Sequence, residues 1–262
     1  MKLSQVAAQL YTLRDHLKTP EDMKKTLKRV HEIGFQAVQL SGLGPIAEEE
    51  IAAICKDNDL VICATHEPGK DICEDTQKVI KRLQKLNCKY TAYPYPHVPL
   101  DSYENVKKLA AMLDEAGKKM RDAGQVLTYH NHAIEFMRHD GKIGLDIIYD
   151  STNPEYLQAE IDTFWIQTGG QNPARWCAKM KNRLPLLHMK GYKVKEGNGG
   201  TMGEIGNDNL NWPEIIAAAE QASSPEWFII EQDASWINDD PFAALKLSFE
   251  YTRDHLVGEY KW

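Results

Sequence analysis

The sequence predicts a single (β/α)8-barrel domain spanning residues 1–262. Three observations lead there. Short β-branched or apolar runs alternate with longer segments of helical period, and the pair recurs eight times along the chain. Strands alternating with helices make a parallel sheet, and eight such units in 262 residues fit the size at which that sheet closes on itself. Titratable residues also collect where the strand runs end, the face on which such barrels carry their chemistry. An open doubly wound sheet would show a phosphate-binding glycine loop after strand one; here strand one leads into Gln9-Leu10-Tyr11-Thr12, without glycine.

Each unit has its own warrant. Strand one covers about 4–10, and Thr19-Pro20-Glu21-Asp22 then gives an N-cap with proline at the first helical position. Met23, Leu27, Val30 and Ile33 share the apolar face of that helix, which ends at Gly34. Strand two covers about 36–41 and its helix 46–56. Strand three, about 60–65, runs into Thr65-His66-Glu67-Pro68-Gly69, with a helix over 74–87. Strand four, about 89–93, ends in Tyr93-Pro94-Tyr95-Pro96, and a helix over 102–122 stops before Gly124. Strand five, about 125–130, ends in Tyr129-His130-Asn131-His132. A short helix near 144–151 leads to strand six, about 156–161, ending at Asp162, and a helix follows over 173–181. Strand seven, about 185–189, ends in His188-Met189-Lys190. The glycine-rich loop over 191–206 reads equally as a lid over a substrate or as a plain connection. A helix near 212–222, strand eight over 227–231 ending in Glu231-Gln232-Asp233, and a helix over 240–256 complete the pattern.

Composition removes several function classes. The formal net charge is −7 and Lys and Arg are interleaved with acids, so nucleic acid is not an expected partner. The apolar runs are too short to span a bilayer, and the N-terminus enters a strand at once, with no secretory signal pattern. The five cysteines, Cys55, Cys63, Cys73, Cys88 and Cys177, include no C-x-x-C pair. They read as reduced thiols of a cytoplasmic protein.

The polar residues at strand ends are Gln9, Gln39, His66, His130, His132, Asp162, His188, Lys190, Glu231 and Asp233. Imidazole together with carboxylate suits one divalent ion, among Mn²⁺, Zn²⁺, Mg²⁺, Co²⁺ and Fe²⁺. Asp162, His188 and Glu231 stand on consecutive strands, so the fold would bring them together, with a fourth ligand from strand five. Asp162 also reads as a helix N-cap. Glu231 follows the apolar run Trp227-Phe228-Ile229-Ile230, where a buried carboxylate is costly without a cation or donor. Tyr11, Tyr93, Tyr95, Trp165 and Trp212 lie near strand ends or in loops, as stacking surfaces for a sugar ring or as packing between loop and helix.

Taken together, the chain resembles the xylose isomerase-like barrels, in particular the sugar phosphate isomerase/epimerase branch with its inosose dehydratases and ketose 3-epimerases. The resemblance rests on Gln9-Leu10-Tyr11-Thr12-Leu13-Arg14, on Gly34 to Leu40, on Tyr129-His130-Asn131-His132-Ala133-Ile134-Glu135-Phe136, and on Asp162. It continues through His188-Met189-Lys190, Gly203-Glu204-Ile205-Gly206 and Ile229-Ile230-Glu231-Gln232. It implies one divalent metal held by a residue from each of strands five to eight. Asp162, His188 and Glu231 match directly. Where the epimerases place a glutamate on strand five, this chain has His130-Asn131-His132. His130 aligns best with that glutamate as fourth ligand, with His132 and Glu135 as the alternatives.

The resemblance further implies an isomerase or epimerase of a keto-sugar or polyol, acting by proton abstraction beside a metal-polarised carbonyl. In that scheme Glu231 is the base, Lys190 stabilises the enediolate, and His66 binds a hydroxyl or acts as acid. Gln9, Tyr11, Gln39 and His132 contact the substrate, a small sugar or cyclitol. Losing the strand-five glutamate removes one of two bases, which leans the chemistry toward dehydration, β-elimination (as in a 3-keto-glycoside-cleaving lyase) or one-base isomerisation. A homo-oligomer is compatible with the fold class. Two rivals are an abasic-DNA endonuclease, which would want three metals and a basic rim, and a non-catalytic sugar-binding barrel.

Overall fold

Eight parallel strands hydrogen-bond in chain order and close into a barrel. They are β1 (Val6–Gln9), β2 (Ala37–Leu40), β3 (Val61–His66), β4 (Tyr90–Tyr93), β5 (Val126–His130), β6 (Leu157–Asp162), β7 (Leu186–Met189) and β8 (Trp227–Ile230). Closure comes from β1 pairing with β8, Val6 opposite Phe228 and Ala8 opposite Ile230. The computed structural model describes residues 1–197 and 199–258. Asn198, in the glycine-rich segment, and residues 259–262, at the end of the expected domain, lie outside the described residues. Among those described, no helix is long and apolar enough to cross a membrane.

Alternation along the strands separates two environments. Val38, Leu127, Leu187, Phe228 and Ile230 join the main core with the helices, whereas Ala7, Ala37, Cys63, Leu186 and Ile229 form a second, smaller cluster. Two residues on from that smaller cluster, on the same strand faces, stand Gln9, Gln39, His188 and Glu231. The polar site is therefore the next layer up a packed barrel interior.

Local signals explain the helices. Thr19 accepts a hydrogen bond from the Asp22 amide, Pro20 occupies the first turn, and Met23, Leu27 and Val30 are buried along Pro20–Ile33. Gly34 ends that helix at φ 122°, with the Phe249 ring against its Cα. The helix Tyr103–Asp122 reaches the barrel through Gly117, where an added Cβ would come within 2.1 Å of the Tyr156 carbonyl oxygen. Alanine favours a helix interior over glycine by about 1 kcal/mol, but overpacking against fixed backbone costs roughly 1–3 kcal/mol. Gly117→Ala is therefore expected to destabilise, read as a lower urea midpoint; an unchanged or raised midpoint would show that this contact yields.

The structure revises several sequence expectations. The helix expected over 74–87 is two helices, Gly69–Glu74 and Thr76–Lys85, because Asp75 leaves helical geometry and caps the second through the Lys78 amide. A short helix, Thr163–Thr168, follows directly on β6, capped by Asp162. The last helix is Pro241–Tyr251 with one wider turn, Thr252–Leu256. The loop at 191–206 contains an antiparallel hairpin, Gly191–Lys195 with Gly199–Gly203. Its second strand is tied to the segment after β8 by Thr201 Oγ1 against Ser235 Oγ at 2.8 Å. Glu204 just beyond it accepts hydrogen bonds from the Ile237 amide and Gln232 Nε2.

Candidate metal centre

Register places the candidate donors side by side. His130 is opposite Glu160 across β5 and β6, and Asp162 is opposite His188 across β6 and β7. Glu231 directly follows β8. His130, Asp162, His188 and Glu231 are all buried, and one ligand atom from each lies within 4.8 Å of the others. Lys190 is 1% exposed and its ammonium faces Asp233 Oδ2 at 2.5 Å, Glu231 Oε2 at 3.0 Å and Asp162 Oδ2 at 3.6 Å.

Asp162 resolves the two readings of its sequence position by doing both jobs. Its Oδ1 accepts from the Trp165 amide at 2.9 Å and caps the following helix. Its Oδ2 is buried without a hydrogen-bond partner, 3.9 Å from His130 Nε2 and from His188 Nδ1. Two imidazole nitrogens and two carboxylate oxygens, one of them without a hydrogen-bond partner, are a donor set that a divalent cation would complete.

The charges oppose burial and one another. Burial pushes the Asp162 carboxyl up to about 7 against the pull of Lys190 and His188. Burial acts the same way on Glu231, but Lys190 and His188 outweigh it and hold that carboxylate well below its ordinary range. Burial lowers His130 strongly, keeping it neutral. For His188 burial is overcome by the Glu160 and Glu231 carboxylates, which push the imidazole up to about 10. Glu231 is thus the ionised form that a base requires, at reduced basicity while Lys190 stays beside it.

Other predicted site residues fall into three groups. His66 and His132 stay at the site: the His66 ring lies 4.9 Å from His130, and His132 lies 5.0 Å from both His130 and Trp165. Tyr11 is 39% exposed and stands at the rim, with the Arg14 guanidinium over its ring. Gln9 and Gln39 are both fully buried, and Gln9 Nε2 donates to Gln39 Oε1 at 2.8 Å, so part of their hydrogen-bonding capacity is spent on each other. Among the aromatics, Tyr93 is buried with its hydroxyl against His97, and Trp212 is buried with Nε1 donating to Asp208. These two pack, while Tyr95 and Trp165 flank His132.

Glu135, one alternative for the strand-five ligand, belongs to neither donor group. It accepts from Tyr129 Oη at 2.9 Å and from the His132 amide at 2.8 Å. Burial pushes its carboxyl from the usual 4.5 up to about 7. A raised carboxyl contributes stability that is fully present below about pH 4.5 and is lost as pH rises through about 7. Glu135→Gln is expected to flatten the fall in urea stability between pH 5 and 8 relative to wild type; parallel pH profiles would refute this.

One residue escaped the sequence reading altogether. Glu160, fully buried, lies two positions before Asp162 on the same strand face. Its Oε1 faces His66 Nε2 at 2.6 Å, His188 Nε2 at 2.9 Å and His130 Nδ1 at 3.1 Å. With those three histidines it makes a second buried donor group. Its signal in the sequence is a carboxylate within the strand Leu157–Asp162, in step with Asp162 but short of the strand end.

The family model for xylose isomerase-like TIM barrels matches residues 27–255. The chain belongs to this family. Inosose dehydratase 2 of Bacillus cereus is 24% identical over 171 residues, covering 60% of this chain and 54% of that protein. The chain spans about half the length of the curated relatives it matches. A sugar phosphate isomerase/epimerase from Parabacteroides distasonis superposes with a TM-score of 0.82 at 20% identity, covering 96% of this chain and 94% of that one. A family barrel from Mycobacterium smegmatis, solved in complex with magnesium, gives 0.72 at 15% identity over 96% of each chain. These likenesses establish the shared barrel.

Proposed function

We propose that this barrel is a divalent-metal-dependent enzyme that removes the proton beside a carbonyl of a keto-sugar or cyclitol. The observation that carries the reading is the buried Asp162 Oδ2, which has no hydrogen-bond partner and faces His130 and His188, with Glu231 completing the set. His130 Nε2, Asp162, His188 Nδ1 and Glu231 would hold the ion, which when bound supplies Lewis-acid polarisation of the substrate carbonyl.

The protein's own groups account for the rest. Glu231 accepts the proton, and its ionised state is secured by Lys190 at 3.0 Å. Lys190, bound among three carboxylates, is first their counter-charge and then the nearest cation to the negative charge that develops on the substrate. His132 Nδ1 is buried without a partner and is free to bind a substrate hydroxyl. Asp233, with a 22% exposed side chain, links the buried acids to solvent for proton exchange. A cleft of about 700 Å³ runs from the ends of β2 and β3 out along the helices that follow them, past Asp71, Lys78 and Arg82, and meets the donor cluster through His66 alone.

Return of the proton to the adjacent carbon gives an isomerase, and to the opposite face of the same carbon an epimerase. A second reading, dehydration, is favoured by His130 standing where the related epimerases carry a second acid/base glutamate, and by the kinship to inosose dehydratases. The test is incubation with Mn²⁺ in D₂O with ketohexoses and inososes, followed by mass and NMR analysis. Deuterium beside the carbonyl is expected, with an isomer or a dehydrated product deciding between the readings. No exchange with any of them, with the metal bound, would refute the proposed chemistry.

A further inference from the structure

The two buried donor groups share His130 and His188 through opposite ring nitrogens. The upper group uses His130 Nε2 and His188 Nδ1 with Asp162 and Glu231; the lower uses His130 Nδ1 and His188 Nε2 with His66 and Glu160. A neutral imidazole has only one lone-pair nitrogen, so one cation and two neutral rings leave a single choice to be made.

Hydrogen-bond bookkeeping below the site makes that choice. Gln39 Nε2 lies 2.8 Å from Glu160 Oε2, and a carboxylate only accepts, so the Gln39 amide is oriented. Gln39 Oε1 is then an acceptor, and Gln9 Nε2 donates to it. His188 Nε2 faces two acceptors, Gln39 Oε1 at 2.6 Å and Glu160 Oε1 at 2.9 Å, whereas Nδ1 faces one, Glu231 Oε2 at 3.1 Å, which a bound cation would engage; in a neutral ring beside that cation the hydrogen therefore belongs on Nε2. His130 Nδ1 faces the same Glu160 oxygen at 3.1 Å. Both Glu160 oxygens are satisfied, whereas Asp162 Oδ2 above has no hydrogen-bond partner.

We propose that Glu160 is a positioning residue: it accepts the N–H of His130 Nδ1 and His188 Nε2 and so turns His130 Nε2 and His188 Nδ1 toward Asp162 and Glu231. Gln9 and Gln39 hold its carboxylate in place. The role rests on the metal reading given above. Carboxylates behind metal-binding histidines fix the ring tautomer, and their loss typically costs 10–100-fold in metal affinity.

The test uses Zn²⁺ alone, titrated calorimetrically into chelator-treated protein, with long-range ¹⁵N-imidazole NMR on the loaded form. Wild type is expected to bind one Zn²⁺ while protons remain on His130 Nδ1 and His188 Nε2. Glu160→Gln is expected to bind about 10–100-fold more weakly, with its melting temperature in the chelated form showing that it is folded. Gln39→Met, which keeps Glu160 but removes its tether, is expected to bind more weakly as well, by less. Zn²⁺ attached through His130 Nδ1 and His188 Nε2 would make Glu160 a ligand and overturn the proposal. Unchanged affinity in Glu160→Gln would overturn it too, leaving the upper metal site intact. Absence of Zn²⁺ binding in wild type would instead refute the metal reading itself, and the positioning role with it. Should Glu160→Gln fail to fold, the proton positions in loaded wild type and the affinity of Gln39→Met decide the matter.

Discussion

Glu231→Gln is expected to slow solvent deuterium exchange into the substrate by roughly 10³-fold, equivalent to about 4 kcal/mol of transition-state stabilisation. The substitution preserves shape but replaces a charged oxygen that faces Lys190 at 3.0 Å and His188 Nδ1 at 3.1 Å. It therefore removes the proton acceptor and weakens the ion site together. Metal content separates the two effects: a variant that binds metal normally yet exchanges slowly has lost the base, and one that loses both has lost a ligand. A variant with metal and exchange rate both unchanged would exclude Glu231 from the chemistry. The expectation follows from burial, since a carboxylate 5% exposed at the end of an apolar strand is unstable without cations around it.

Lys190→Met is expected to cost about 3–5 kcal/mol in chelator-treated protein, because removing one partner of a buried ion pair leaves uncompensated charge. Asp162, Glu231 and Asp233 would then lack their shared ammonium. For a chain of this length the loss corresponds to a melting temperature lower by roughly 6–20 °C. Mn²⁺ is expected to raise the melting temperature of the variant more than that of wild type, because a divalent cation among the same carboxylates replaces the missing charge and stabilises the folded state by mass action. Equal Mn²⁺ shifts in the two proteins would mean that ion and ammonium do not share those carboxylates. A variant as stable as wild type would mean that the carboxyls neutralise themselves by taking up protons.

The contrast among the site residues shows where sequence reasoning stops. Asp162, His188 and Glu231 were legible because each ends a strand run, and strand ends in a parallel barrel converge on one face. Period-two alternation also tells which residues share a strand face, so Glu160 and Asp162 belong together, as do His188 and Lys190. What alternation does not give is height. Strands in a barrel are tilted and staggered, so Gln9 and Gln39, which look like rim residues, sit opposite each other and chain inward, Gln9 donating to Gln39 and Gln39 to Glu160.

By itself, then, the sequence determined the eight βα units, the face that carries the chemistry, and the imidazole–carboxylate character of the site. These follow from local periodicity, capping and the handed connection of parallel strands, all written over short stretches of chain. The tertiary structure decided which nitrogen of each histidine faces which carboxylate, and that Lys190 lies among three acids. It also decided that Asp162 spends one oxygen on a helix cap and keeps the other for the site. Apart from the local cap of Asp162 on Trp165, those outcomes depend on contacts between residues about 30 to 150 positions apart, such as His188 with Gln39. Only the stagger at which the barrel closes sets them.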